Sequence, residues 1–221
     1  MIAKDLISEI VPSLKTSDTG TQALQWMEIA RVSHLPIVNE KELLGLISDN
    51  DIYDLNTPEE PIGNHPLSIS TPYVFAEQHI FEVAEKVARY KLTLIPVLNE
   101  KKEFIGVITL HDLLVGLAKV TNIEQTGAIL VLEMNIRDYS LVELAQIVES
   151  EDAKIISLYI SSCEETTQID VTIKINKDDI SRIIASLNRH NYIIKNTFMD
   201  NSDLNQFYQD RLDSFLRYLN I

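Results

Sequence analysis

The chain has 221 residues, 45% of them hydrophobic, and sets 33 Asp and Glu against 19 Lys and Arg, for a formal net charge of −14. That balance argues against nucleic acid and an anionic membrane surface, which are held by Lys and Arg; a mononucleotide stays open, because local geometry can override a global field. The length suffices for two modest domains with cores of their own. No apolar run approaches the roughly 18 residues of a membrane span. The start Met1-Ile2-Ala3-Lys4-Asp5-Leu6 lacks the basic and apolar stretches of a secretory signal, and the lone Cys163 allows no internal disulfide and fits a reducing cytoplasm.

Residues 2–8 read as a short helix that Val11-Pro12 breaks. Asp18 or Thr19 caps a helix whose apolar face is Ala23, Leu24, Met27 and Ala30. Trp26 falls beside that face, where packing at a domain interface suits it. Then come a strand, His34-Leu35-Pro36-Ile37-Val38-Asn39, a charged turn, a second strand, Leu43 to Ser48, and a helix ending near Leu55. Asn56 to Pro66, with Pro58, Pro61, Gly63 and Pro66, reads as a linker that denies helix and central strand. Ser68-Ile69-Ser70 opens the next stretch. Ile80, Val83, Ala84, Val87 and Ala88 mark its first helix, Leu94 to Leu98 and Phe104 to Thr109 its strands, and Leu110 to about Lys119 its last helix.

Beyond Thr121 the pattern changes. Ala128 to Asn135 reads as a buried strand and Ser140 to about Ser150 as a helix. Lys154 to Ser161 and Gln168 to Ile175 alternate, with Glu164 to Thr167 as the hairpin turn between them. Asp178 or Asp179 starts a helix with Ile180, Ile183, Ile184 and Leu187 on one side, and Tyr192 to Met199 is a last strand. The order β-α-β-β-α-β predicts an antiparallel sheet with its helices on one face. Asp203 to Ile221 reads as one amphipathic helix with a seam of Leu204, Tyr208, Leu212, Phe215 and Leu219, which packs on its own domain or on a partner subunit.

The two strand–turn–strand–helix stretches are one unit built twice, about sixty residues apart, with Lys102 the extra residue of the second turn. Gly45 and Gly106 hold matching places where backbone or ligand can approach closely. Each second strand ends in a hydroxyl residue with Asp three positions on: Ser48-x-x-Asp51 and Thr109-x-x-Asp112. That spacing fits a helix N-cap with an acidic third residue. It also fits a hydroxyl and a carboxylate that hold the two hydroxyls of a ribose, while the free N–H groups of a helix start favour a phosphate. Its recurrence behind matching Pro and Gly landmarks adds weight to the ligand reading. His111 either meets a ligand phosphate or faces solvent as the second residue of its helix. Its counterpart Asn50 follows Asp49, whose carboxylate repels phosphate. The Thr109–Asp112 cleft is therefore expected to be the better nucleotide site. Lys4, Lys15, Arg31, Arg89 and Lys91 are further candidates for the phosphate end.

A strand with Pro at its centre, an Asn turn, then Gly, two apolar residues and Ser/Thr-x-x-Asp resembles the cystathionine-β-synthase (CBS) domain, whose tandem pairs are called Bateman modules. The resemblance covers about residues 1–120. It implies an α/β (α+β) fold of two β-α-β-β-α repeats, 1–57 and 58–122, packed by their sheets with two clefts between them. It further implies an adenosine-containing ligand: AMP, ADP or ATP, with or without Mg²⁺, or S-adenosylmethionine. Ribose would then lie on Thr109 and Asp112 in one cleft and on Ser48 and Asp51 in the other. His111, Gly106, Gly45, Pro96 and Pro36 are the candidates around phosphate and base.

The stretch 123–201 resembles an ACT-type domain in topology, ahead of the helix at 202–221. Its turn Ile136-Arg137-Asp138-Tyr139-Ser140 lacks the Pro and Gly of amino-acid-binding members. The whole chain is similar to CBS–ACT proteins of the acetoin utilisation type. That likeness implies a cytoplasmic ligand-sensing regulator, paired as a homodimer, that passes its signal to a separate effector protein. The alternative is a nucleotide-free CBS–ACT scaffold whose hydroxyl–Asp pairs are helix caps only. An enzyme is not expected: the sequence has no Gly-x-x-x-x-Gly-Lys-Ser/Thr loop, no Gly-x-Gly-x-x-Gly turn and no Gly-x-Ser-x-Gly elbow. The histidines at 34, 65, 79, 111 and 190 show no metal-ligand spacing.

Overall fold

The computed structural model describes residues 1–55, 57–65, 72–162 and 167–199. Ser68-Ile69-Ser70, Cys163, most of the turn expected before Gln168 and the helix expected from Asp203 to Ile221 lie outside them. The chain forms two compact units, Met1–Val120 and Thr121–Ile221, so both repeats belong to one body.

The first unit opens with a 3₁₀ turn, Ala3–Leu6, where a short helix is expected. Helix α1 (Gly20–Ala30) starts from Thr19 in a reciprocal cap: the Thr19 hydroxyl accepts the Gln22 N–H and Gln22 Oε1 accepts the Thr19 N–H. A hairpin of β1 (His34–Asn39) and β2 (Glu42–Ser48) follows, then the short α2 (Asp49–Tyr53). The second repeat runs β3 (Val74–Phe75), α3 (Ile80–Tyr90), β4 (Leu94–Leu98), β5 (Phe104–Thr109) and α4 (Leu110–Val120). Helices α1 and α3 both span 11 residues. Both end on a left-handed residue, Arg31 at φ 54° and Lys91 at φ 53°. Both hairpins shift register at the same place, after Ile37 and after Val97.

The strand that opens each repeat is short. β3 pairs with β4 over two residues, and its counterpart is the single bridge between Leu14 and Ile37. Leu35, Ile47, Ile52, Leu94, Ile95 and Ile108 fill the shared core of the two repeats. The linker is packed rather than free. Ile62 is fully buried in a 3₁₀ turn, and its N–H donates to the Asp18 carbonyl at 2.8 Å. Prolines deny it regular structure, yet one isoleucine among them supplies burial. Trp26 is 43% exposed, so the interface packing expected for it is not met within this unit.

The second unit runs β6 (Ile129–Asn135), α5 (Leu141–Ser150), β7 (Ile155–Ser162), β8 (Gln168–Ile175), α6 (Ser181–Arg189) and β9 (Ile193–Phe198). The four-stranded sheet has the order β7-β8-β6-β9, and every neighbouring pair is antiparallel. Alternation sends Leu130, Leu132, Met134, Val171 and Ile173 to one face, where they pack with Leu144, Ile147 and Val148 of α5 and Ile183 and Leu187 of α6. The other face carries Ile129, Val131 and Glu133 of β6, Asp170, Thr172 and Lys174 of β8, Tyr159 of β7, and Ile193 and Phe198 of β9. Lys174 is 9% exposed, and its ammonium donates to the carbonyls of Asn122 and Ile123 at 2.8 Å each. That bonding is what makes a buried lysine tolerable. Burial, followed by the nearby Glu143 carboxylate, pushes the Tyr192 phenol up to about 12.

Candidate functional site

The start of α4 forms one wall of a cleft in the first unit. Thr109 closes β5, where cross-strand pairing with Leu94 fixes it. Its hydroxyl donates to Asp112 Oδ2 at 2.6 Å and accepts the Asp112 N–H at 3.1 Å. The geometry is that of a cap, and it also places a hydroxyl and a carboxylate side by side at the mouth of a cavity of about 590 Å³. That is room for a small ligand. The second repeat supplies Thr93, Thr109, Leu110, His111, Asp112 and Leu114 to the lining; the first supplies Ser8, Ile10, Val11, Ala30, Arg31 and Val32. Apolar side chains thus face a polar edge of hydroxyl, carboxylate, imidazole and guanidinium.

Among the cationic candidates for a phosphate, Arg31 lines this cavity together with His111. The Arg31 backbone is fixed in its left-handed turn by bonds from its N–H to the Met27 and Glu28 carbonyls. Lys4 instead pairs with Glu77 at 3.1 Å, and Arg89 lies 3.7 Å from Glu85. Lys15 and Lys91 are not among its lining residues.

Pro36, Pro96 and Gly45 are buried within paired strands and do not line the cavity. Gly106, at φ +150°, is where a Cβ would fall 2.5 Å from Ile7 Cγ2. The close approach there is made by the chain's own N-terminal segment. Sequence reasoning missed Ser8, Val11 and Thr93, which reach the cleft from loops with no motif of their own. The repeat held a usable signal: with an offset of sixty, Ser33 maps onto Thr93.

The first repeat is not equivalent. Ser48 and Asp51 form a complete capping box: Asp51 Oδ2 accepts both the Ser48 N–H at 2.8 Å and its hydroxyl at 2.7 Å, and the Asp51 N–H returns to Ser48 Oγ at 3.1 Å. Asp49 adds a second carboxylate in the first turn of α2, which has only five residues. A neighbouring cavity of about 540 Å³ takes in Asp49, Ser33, Thr93 and Arg31, but neither Ser48 nor Asp51. The segment 68–71, which corresponds to Ser8–Val11, lies outside the described residues.

His34 occupies the place of Leu94. Its Nδ1 lies 2.9 Å from Thr93 Oγ1 and 3.4 Å from the Thr93 backbone N, and Thr93 Oγ1 also accepts the Ser33 N–H at 3.0 Å. Burial lowers the pKa of His34 against the opposing pull of Asp49 and Asp51. Among the described residues no group of His, Cys, Asp or Glu is placed to hold a metal ion, and no helix is long and apolar enough to cross a membrane.

Comparison with known proteins addresses the same half of the chain. Residues 3–56 and 67–119 match the CBS domain family. An inosine-5′-monophosphate dehydrogenase of Methanocaldococcus jannaschii is 25% identical over 115 residues, which is 51% of this chain and 23% of the dehydrogenase. The CBS domain-containing protein YhcV of Bacillus subtilis is 24% identical over 117 residues, 51% of this chain and 83% of YhcV. The chain thus spans about a quarter of the length of the first curated relatives it matches. A CBS domain pair/ACT domain protein of Thermotoga maritima covers 54% of this chain and 98% of its own length, at 21% identity and a TM-score of 0.49. The structure of CBSX2 in complex with AMP covers 54% of this chain and 97% of its own, at 19% identity and a TM-score of 0.47. The repeated backbone, the paired hydroxyl–Asp motifs and the family match agree: the first unit is a tandem pair of CBS domains.

Proposed function

We propose that this protein is a ligand-sensing regulator whose Thr109–Asp112 cleft binds an adenine nucleotide or a related adenosyl ligand. The observation that carries this reading is the convergence of Thr109, Asp112, His111 and Arg31 on one cavity with apolar walls. The Asp112 carboxylate accepts the ribose hydroxyls, and Thr109 exchanges its bond to Asp112 for one to ribose. Val11, Val32 and Leu114 offer apolar surface to the base. His111 and Arg31 stand at the phosphate end beside the first turn of α4, whose dipole favours an anion.

The ligand acts by favouring one of two arrangements of the repeats, in proportion to its differential affinity for them. The second unit serves as an ACT-type pairing or sensing domain in a cytoplasmic homodimer of the acetoin utilisation type, and the output passes to a separate effector protein. A nucleotide-free scaffold is the second reading, and the cap geometry of both hydroxyl–Asp pairs favours it.

Thermal unfolding with AMP, ADP, ATP with and without Mg²⁺, and S-adenosylmethionine separates the two. A ligand at a hundredfold its Kd should stabilise the protein by roughly 2.7 kcal/mol. Thr109→Ala will cost about 1 kcal/mol through the lost cap whichever reading holds. The diagnostic is therefore the ligand-induced shift, which Asp112→Ala should abolish. No shift with any member of the panel would leave the scaffold. Equal losses on changing Asp51 and Asp112 would overturn the ranking of the clefts.

A further inference from the structure

Two cavities of the first unit share a wall. The Thr109–Asp112 cleft of about 590 Å³ and its neighbour of about 540 Å³ are both lined by Arg31, Val32 and Thr93. Thr93 is where they meet. Its carbonyl accepts the N–H of Leu110, the first residue of α4, at 2.8 Å. In the first repeat the Ser33 carbonyl accepts the N–H of Asp49, the first residue of α2, at 3.0 Å. The two bonds are counterparts, since Ser33 maps onto Thr93 and Asp49 onto Leu110. One side chain joins them. The Thr93 hydroxyl accepts the Ser33 N–H at 3.0 Å and lies 2.9 Å from His34 Nδ1, to which it donates when the ring is neutral. Asp49, Ser33, Thr93 and Leu110 thus form an unbroken line of hydrogen bonds, each between 2.8 and 3.0 Å, from one helix start to the other.

We propose that Thr93 couples the two cavities: a nucleotide that fixes the first turn of α4 also fixes the first turn of α2, and with it the neighbouring cavity. The inference rests on the nucleotide reading of the Thr109–Asp112 cleft and names how that cleft signals across the pair of repeats. Ribose binding replaces the Thr109–Asp112 bond, next in sequence to the Leu110 N–H that Thr93 holds. A shift of Leu110 therefore pulls on the Thr93 peptide. Thr93 is β-branched, which restricts χ1 and ties the position of its hydroxyl to that of its backbone. Moving the hydroxyl moves the acceptor of the Ser33 N–H, and the Ser33 carbonyl holds the start of α2. Asp49 and Tyr53 of α2 line the neighbouring cavity, opposite Gln25 and Glu28 of α1. The line is thus a contiguous element whose state both cavities bias, as coupling between sites requires.

The test is backbone hydrogen exchange, read by mass spectrometry on the full chain with AMP and with ATP as probes. Variants are compared at equal nucleotide occupancy, set from each one's own binding curve. In the wild type, nucleotide should slow exchange at 109–114 and, by roughly fivefold or more, at 48–53. Thr93→Val should confine the slowing to 109–114, and Thr93→Ser, which keeps the hydroxyl, should restore it at 48–53. Slowing at 109–114 alone in the wild type would overturn the coupling and leave the nucleotide reading standing. Slowing at 48–53 that persists in Thr93→Val would show a different carrier and overturn the role of Thr93. No change at either helix start with both probes would overturn the nucleotide reading, and this proposal with it. A second measurement leaves Thr93 intact. Coupling is reciprocal, so loosening α2 by Asp51→Ala should weaken nucleotide binding about fivefold, less than Asp112→Ala does. Unchanged affinity in Asp51→Ala would overturn the coupling.

Discussion

His34 stands where the second repeat has Leu94, and that single difference gives the paired repeats a titrating group at their centre. Its Nδ1 faces the Thr93 N–H and hydroxyl, so the neutral ring is the form that accepts both. The folded pKa lies below the ordinary value of 6.5 because burial outweighs Asp49 and Asp51. The unfolded chain then takes up its proton first as pH falls. The stability from this contact is fully present above about pH 6.5 and is lost as pH falls through the folded pKa. Unfolding midpoints measured from pH 7.5 down to 5 should decline in the wild type, with a weaker decline in His34→Leu. Equal declines would show that other groups set the pH response. The same residue shows where one sequence stops being informative. The motif Ser48-x-x-Asp51 looked like a copy of Thr109-x-x-Asp112, but its Asp is tied into a complete capping box and its neighbours are Asp49 and His34. Spacing reveals that a hydroxyl and a carboxylate are adjacent. It does not reveal which lone pairs are already used.

Hairpins and helices were legible because their signals are local. Apolar periodicity, Thr19 as a cap, and a repeat that carried each landmark across by sixty residues before the turn and sixty-one after it placed α1 through α4 closely. What escaped were contacts between segments distant in sequence. The opening strand of each repeat is too short to show alternation, and it exists as pairing with β1 or β4 rather than as a pattern. Ile62 could not be told from a solvent-facing linker residue, since burial there depends on Asp18 lying above it. Gly127 was passed over for the same reason. At φ +141° it runs so close to β8 that an added Cβ would meet the Ile175 carbonyl oxygen at 2.0 Å. Gly127→Ala should therefore destabilise the second unit by about 1–3 kcal/mol, measured by denaturant unfolding, with the first unit unaffected. A change within a few tenths of a kcal/mol would show that the strand entry can yield.

Among the described residues the two units carry separate hydrophobic cores, with no buried residue shared between the two clusters. Separate cores predict separable unfolding. Calorimetry of the full chain should resolve two transitions, and a nucleotide bound at Asp112 should raise that of the first unit. A single transition that moves as one with ligand would mean that the units melt together. The chain joining them has a property of its own. α4 begins at the cleft and ends at Val120, and the carbonyls that Lys174 grips belong to Asn122 and Ile123. Lys174 thus pins the opening residues of the second unit to that unit's own sheet, as a peg holds a cord, and Lys174→Met would cut that hold while keeping the apolar stem.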